Sequence, residues 1–201
     1  MIVLGLTGGI GMGKSTVSRM FERNLVPVWD ADACVHFGYS SDFDVQGFMR
    51  IAFPQVWRNA QIDRSILRDV LFRDSEAMRV LNWTMGRYLD RSVQNFISLH
   101  KATRTQEVVI LDVPLLYESG MDSLCDYTVA VSCPEAVQRE RVMARPGMTE
   151  ATYLEFTSRQ MSDNQRCAKA DYVIDTSLAL DTVERRILNI LSCAKTRASQ
   201  M

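Results

Sequence analysis

The chain has 201 residues with a formal net charge of −1 and 47% hydrophobic residues. That suits one α/β domain with a sizeable core and excludes the global basic field that would favour nucleic acid as a partner. Five cysteines without C-x-x-C spacing indicate neither a disulfide framework nor a zinc site, so a reducing, cytoplasmic setting is expected. The N-terminus enters Ile2-Val3-Leu4 without a basic leader, and no apolar run approaches the ~20 residues of a membrane span, so an unprocessed protein with no membrane partner is expected.

The apolar run Ile2-Val3-Leu4-Gly5-Leu6 reads as a buried strand, and Gly8-Gly9-Ile10-Gly11-Met12-Gly13-Lys14-Ser15-Thr16 follows it with the pattern G-x-x-x-x-G-K-[ST]. Strand, glycine-rich loop, Lys-Ser and helix in that order make a phosphate-binding loop: the glycines let successive N–H groups turn inward, and the following helix aims its positive end at the phosphates. Lys14 has the reach for the β- and γ-phosphates of a triphosphate, and the Ser15 hydroxyl for a bridging magnesium ion. Ser15 to Arg23 is expected to be a helix burying Val17, Met20 and Phe21. Val26 to Trp29 is expected to be a short strand ending at Asp30-Ala31-Asp32.

Cys34 to Phe53 reads as mostly helical, broken near Gly38 to Ser41 and again at Phe53-Pro54. Asp63 to Phe72 is a one-faced helix. A longer one from about Ser75 to His100 carries Met78, Leu81, Met85, Leu89, Val93, Phe96 and Ile97 on one side, a stripe of ordinary core type. This helical block of about 70 residues is too long for a simple crossover and predicts a subdomain inserted into the α/β core. Beyond it, Val108 to Leu111 is a continuous apolar strand ending in Asp112, and Tyr127 to Val131 another; runs buried on both faces point to a parallel sheet covered by helices. Glu135 to Ala144 is expected to be helical up to the Pro146-Gly147 break. A further helix from Thr149-Glu150 carries Arg159 and Arg166, Tyr172 to Ile174 is the fifth strand, and Leu180 to Leu191 closes the chain as an amphipathic helix.

The residues that can carry chemistry stand where strands end. Asp32 is either a base for an acceptor hydroxyl or the N-cap of a helix beginning at Ala33, and spacing leaves both open. Asp112 follows its strand as the acidic residue of a Walker B element does and can hold magnesium through water. Arg141 and Arg145 are four apart on one helical face before the Pro-Gly break, as in a lid whose guanidinium groups close over a triphosphate; the alternative is a solvated face. His36 and His100 read as structural or exposed residues.

These motifs resemble dephospho-CoA kinase. The resemblance rests on Leu6 to Thr16, Asp30-Ala31-Asp32, Asp63-Arg64 with Leu67-Arg68, Leu81-Asn82 and Asp112 to Glu118. It continues through Pro134-Glu135 with Gln138, Arg141, Arg145 and Gln160, and ends in Ala170 to Asp175. It implies a P-loop kinase of nucleoside-monophosphate-kinase type over residues 1–201, with a five-stranded parallel sheet of order 2-3-1-4-5. It also implies an inserted helical CoA-binding subdomain at 33–105 and a lid at 141–166. The implied reaction is phosphorylation of the ribose 3′-hydroxyl of dephospho-CoA by ATP with Mg²⁺, with Asp32 as base. Four places depart from the family pattern: a segment from His36 to Ile62 that is shorter than expected, Gly86-Arg87 for His-Pro, Phe156 for an arginine that Arg159 can replace, and Thr176 for asparagine. Another small-molecule or nucleotide kinase is the alternative. A regulatory P-loop GTPase is disfavoured because the chain has no Asn-Lys-x-Asp sequence and Asp112 is followed by Val-Pro-Leu.

Overall fold

The structure, a computed structural model, describes residues 1–158 and 160–199; Arg159 lies outside the described residues. Among them a five-stranded parallel sheet is built from β1 (Ile2–Thr7), β2 (Val28–Asp30), β5 (Val108–Asp112), β6 (Tyr127–Ser132) and β7 (Tyr172–Asp175), in the order β2-β5-β1-β6-β7. Counting the strands of this sheet alone, that is the expected 2-3-1-4-5. Every residue of β1 and β5 is buried, which is why their sequences are unbroken apolar runs rather than alternating ones.

Alternation reappears in what each face packs against. Ile2, Leu4 and Leu6 of β1, with Val108 and Ile110 of β5, meet Val17, Met20 and Phe21 of α1 (Lys14–Arg23). The same cluster takes in Val183, Ile187, Ile190 and Leu191 of α9 (Leu180–Ala198). Both helices show the three- and four-residue spacing that puts these side chains on one stripe.

The chain divides into two compact units, Met1–Trp29 with Ile97–Met201, and Asp30–Phe96. The second contains α2 (Ala31–Ser41), α3 (Phe43–Ala52) and α4 (Arg64–Arg73). It also holds the two-stranded hairpin β3 (Trp57–Arg58) and β4 (Gln61–Ile62), and the larger part of α5 (Ser75–Thr103). Its core is Val45, Met49, Phe53, Val56, Leu67, Leu81 and Met85. Each helix start is marked by an aspartate: Asp42 caps α3 through Val45 N–H, and Asp63 caps α4 through the N–H groups of Ser65 and Ile66. The break between α2 and α3 thus falls at Asp42, while Gly38 lies inside α2, where a Cβ would come within 3.0 Å of the Tyr88 ring.

Three expectations need correcting. Met78 is 38% exposed, so the buried stripe of α5 begins only at Leu81. The segment from Glu150 is two helices, α7 (Glu150–Ser158) and α8 (Asp163–Lys169), because Ser162 and Gln165 form a reciprocal capping box that starts a new helix. The hairpin at 57–62 was not anticipated, since its turn is made by Asn59-Ala60, both with positive φ, where a glycine would ordinarily announce it.

Ile187 is fully buried in the middle of the α1–sheet–α9 cluster. Ile187→Ala should therefore lower stability by about 2–5 kcal/mol, read in urea as a lower midpoint with unchanged slope, and should leave nucleotide affinity unaltered below the melting range.

Candidate active site

The phosphate-loop residues occupy the turn from β1 into α1. Thr7, the last residue of β1, donates from Oγ1 to the Pro114 carbonyl (3.0 Å), tying the start of the loop to the segment that leaves β5. Gly11 and Gly13 have φ of +77° and +87°, where a side chain is strained, and Gly13 is the N-cap residue of α1. No side chain caps this helix among the described residues; Thr16 N–H donates to the Gly13 carbonyl (3.0 Å), and the start of the helix, with its dipole behind it, is the kind of place an anion binds.

Lys14 Nζ lies 2.5 Å from Asp112 Oδ1, with the lysine side chain 12% and the aspartate 1% exposed. The register explains the meeting: Leu6 sits opposite Asp112 in the β1–β5 ladder, so the carboxylate ends its strand beside the loop that carries the lysine. Ser15 is in the first turn of α1. A carboxylate and a hydroxyl are hard oxygen donors of the kind magnesium takes; Asp112 stands at the end of β5 and Ser15 in the first turn of α1.

Arg141 is on α6 (Glu135–Met143) and half buried. Its Nη1 donates to Thr176 Oγ1 (3.0 Å) and its Nη2 to the Thr176 carbonyl (2.8 Å), while Thr176 Oγ1 donates to the Met12 carbonyl (2.7 Å). This forked arginine is one side chain removed from the phosphate loop, not part of a solvated face. Arg145 is different: α6 ends at Met143, so Arg145 stands exposed in the following turn and does not share a helical face with Arg141. Gly147, with φ +76°, turns the chain toward α7.

Several polar residues near the loop were assigned no role from sequence. Gln138 of α6 and Gln160 both bond the backbone of Ile10, and Arg166 of α8, 1% exposed, approaches Gly9. Glu118 accepts from the N–H of Met161 (2.8 Å), which steadies the same stretch. Nothing in their spacing marks them, because each comes from a different element and they converge only in three dimensions.

In the second unit, Asp30 rather than Asp32 is the N-cap of α2. Its Oδ1 accepts from Ala33 N–H (2.9 Å), and the helix starts at Ala31, two residues before the expected Ala33. Asp32 is exposed in the first turn. His36 pairs through Nδ1 with Arg64 Nη2 (2.5 Å), in keeping with a structural role. Arg87, one of the departures from the family pattern, lies one turn from Arg91 on α5. The two line a cavity of about 520 Å³ with Asp42, Asp44, Tyr88 and Asn95.

The chain is 40% identical over 194 residues to dephospho-CoA kinase of Rhodopseudomonas palustris (strain HaA2), covering 96% of both. It is 39% identical over 191 residues to that of Rhizobium meliloti (strain 1021), covering 95% of this chain and 97% of the relative. Its fold matches a crystal structure of a Thermus thermophilus protein with a TM-score of 0.81 at 27% identity, covering 95% and 96% of the two chains. It also matches dephospho-CoA kinase from Campylobacter jejuni with a TM-score of 0.70 at 17% identity, covering 99% and 98%, a likeness of fold alone. A family model for dephospho-CoA kinase matches residues 2–181, and with this match and these identities the chain belongs to the dephospho-CoA kinase family.

Proposed function

We propose that this chain transfers the γ-phosphoryl group of ATP to the ribose 3′-hydroxyl of dephospho-CoA, giving CoA and ADP, the last step of coenzyme A biosynthesis. The observation that carries this reading is the convergence of Lys14 and Asp112 at the mouth of a glycine loop, in a chain of this family. Amides of the loop and the first turn of α1 cradle the phosphates, and Lys14 offsets charge building on the transferred group. Ser15 and Asp112 would hold Mg²⁺, which when bound neutralises phosphate charge. Arg141, aimed by Thr176, and Arg145, exposed at the head of the lid at 141–166, are the guanidinium groups that meet the triphosphate.

Asp32 is the base for the acceptor hydroxyl. Two things support it: Asp30 already caps α2, which frees Asp32 from that duty, and Asp32 stands two residues beyond the carboxyl end of β2. The helical subdomain at 33–105 binds the CoA moiety, with Arg87 and Arg91 supplying positive charge for the diphosphate of the acceptor at their cavity. A coupled ADP-release assay with dephospho-CoA, AMP, CMP and shikimate tests the substrate. Turnover confined to dephospho-CoA is expected, and turnover confined to a nucleoside monophosphate would overturn the reading.

Lys14→Ala should lower turnover on the order of 10²-fold or more, the equivalent of ~3 kcal/mol of transition-state stabilisation, and should also lower the melting temperature, since it takes the ammonium partner away from the buried Asp112 carboxylate. Asp32→Asn should melt normally and bind ATP normally while single-turnover phosphorylation falls ~10²–10⁴-fold. The low end of that range is expected because the proton leaves late in a loose transition state; a loss within threefold would return the search for the base to Asp30. Arg141→Lys keeps the charge but not the fork onto Thr176. Turnover should drop about tenfold or more, as for loss of a hydrogen bond to a charged group, and intact kinetics would reduce Arg141 to a structural role.

A further inference from the structure

Ile10 stands at the crest of the phosphate loop, and its peptide groups are held from both sides. Its N–H donates to Gln160 Oε1 (3.1 Å), and its carbonyl accepts from Gln138 Nε2 (2.7 Å). A carbonyl can only accept, so the Gln138 amide must turn its NH₂ toward Ile10 and its oxygen away. That oxygen accepts from the phenol of Tyr153 on α7 (3.3 Å). Burial raises the Tyr153 pKa above its ordinary value, which keeps the phenol protonated and therefore a donor. Gln138 is 8% and Tyr153 5% exposed, so little water competes for either bond.

Gly9, the preceding residue, is walled in by the same groups. A Cβ built there would lie 3.3 Å from Gln160 Oε1, 3.4 Å from Arg166 Nη1 and 3.6 Å from Gln138 Nε2. Arg166 is itself anchored, donating from Nη2 to the Met161 carbonyl (2.7 Å). Loops of this kind bind phosphate only while their N–H groups point to a common centre, and glycine-rich backbone has the freedom to rotate them away. Bonds to both groups of one residue at the crest remove that freedom.

We infer that Gln138 and Gln160 are positioning residues of the phosphoryl transfer, clamping the Ile10 backbone so that the loop amides keep their phosphate-binding attitude, with Tyr153 setting the direction of the Gln138 amide. None of the three touches the reacting atoms. The clamp also joins the loop to the lid region at two points, since Tyr153 is within α7 and Gln160 follows it. This inference rests on the kinase reading above.

The test uses the full chain and the variants Gln138→Met, Gln160→Met, Tyr153→Phe and the double variant Gln138→Met/Tyr153→Phe. For each, kcat, both KM values and the melting temperature are measured, and ADP is titrated by calorimetry. Gln138→Met and Gln160→Met should each lower kcat about tenfold and weaken ADP by a similar factor, as for one lost hydrogen bond, with the KM for dephospho-CoA unmoved. Tyr153→Phe should cost less, and nothing further in the Gln138→Met background, because its effect passes through the Gln138 amide. A lowered melt with unchanged kcat and ADP affinity would show a merely structural role. Full additivity in the double variant would break the Tyr153–Gln138 link, and either result overturns the proposal. If wild type does not turn over dephospho-CoA, the substrate reading fails while the ADP titrations still decide whether the clamp exists.

Discussion

Leu6 and Asp112 face each other across the β1–β5 ladder, and the ion pair between Asp112 and Lys14 depends on that register. A shift by one residue would turn Asp112 to the opposite face of the sheet and carry its whole strand with it. The register is held because both strands are buried throughout and their side chains interdigitate with α1 and α9. The charge geometry of the site is thus a by-product of core packing. A buried carboxylate next to a nearly buried ammonium group is tolerable only as a pair, since either charge alone in that setting carries a large desolvation cost.

Around this pair the loop is supported by side chains rather than by a ladder of its own. Thr176 reaches Met12, Gln138 and Gln160 reach Ile10, and Thr7 reaches Pro114. The bonds to Met12 and Ile10 satisfy backbone groups that a tight glycine turn cannot pair within itself, and the Thr7 bond ties the start of the loop to the segment after β5. Arg141 uses the same scaffold, because the threonine that orders Met12 also orders its guanidinium. The Thr176 hydroxyl performs both tasks: it donates to the Met12 carbonyl and accepts from the arginine.

The second unit follows a simpler logic. Aspartates at Asp30, Asp42 and Asp63 start successive helices, and apolar residues at helical spacing close them into one small core. The caps also decide which carboxylates stay clear of the backbone. With Asp30 engaged by Ala33 N–H, the neighbouring carboxylate of Asp32 is released from backbone duty.

Sequence alone determined the phosphate loop, the five sheet strands, the helical insertion, and the identities of Lys14, Ser15, Asp32, Asp112 and Arg141 as residues to examine, while the strand order came from the family resemblance and not from the residues themselves. These were legible because local rules govern them: glycine at positive φ, apolar runs for doubly buried strands, and carboxylates at strand ends. Tertiary structure decided what local rules leave degenerate. Two aspartates two residues apart are equally good caps on paper, and only the helix start at Ala31 chooses Asp30. Arg141 and Arg145 look like a matched pair until α6 ends at Met143 and separates them. Met78 matches the stripe of α5 in spacing, yet the elements that pack on that helix stop short of covering it. Gln138 and Gln160 entered only through the family resemblance, and Tyr153 and Arg166 had no assigned role, because a buried polar residue takes its meaning from its partner: Gln138, Gln160 and Arg166 meet Gly9 and Ile10 well over 100 residues away in the chain, and Tyr153 meets Gln138.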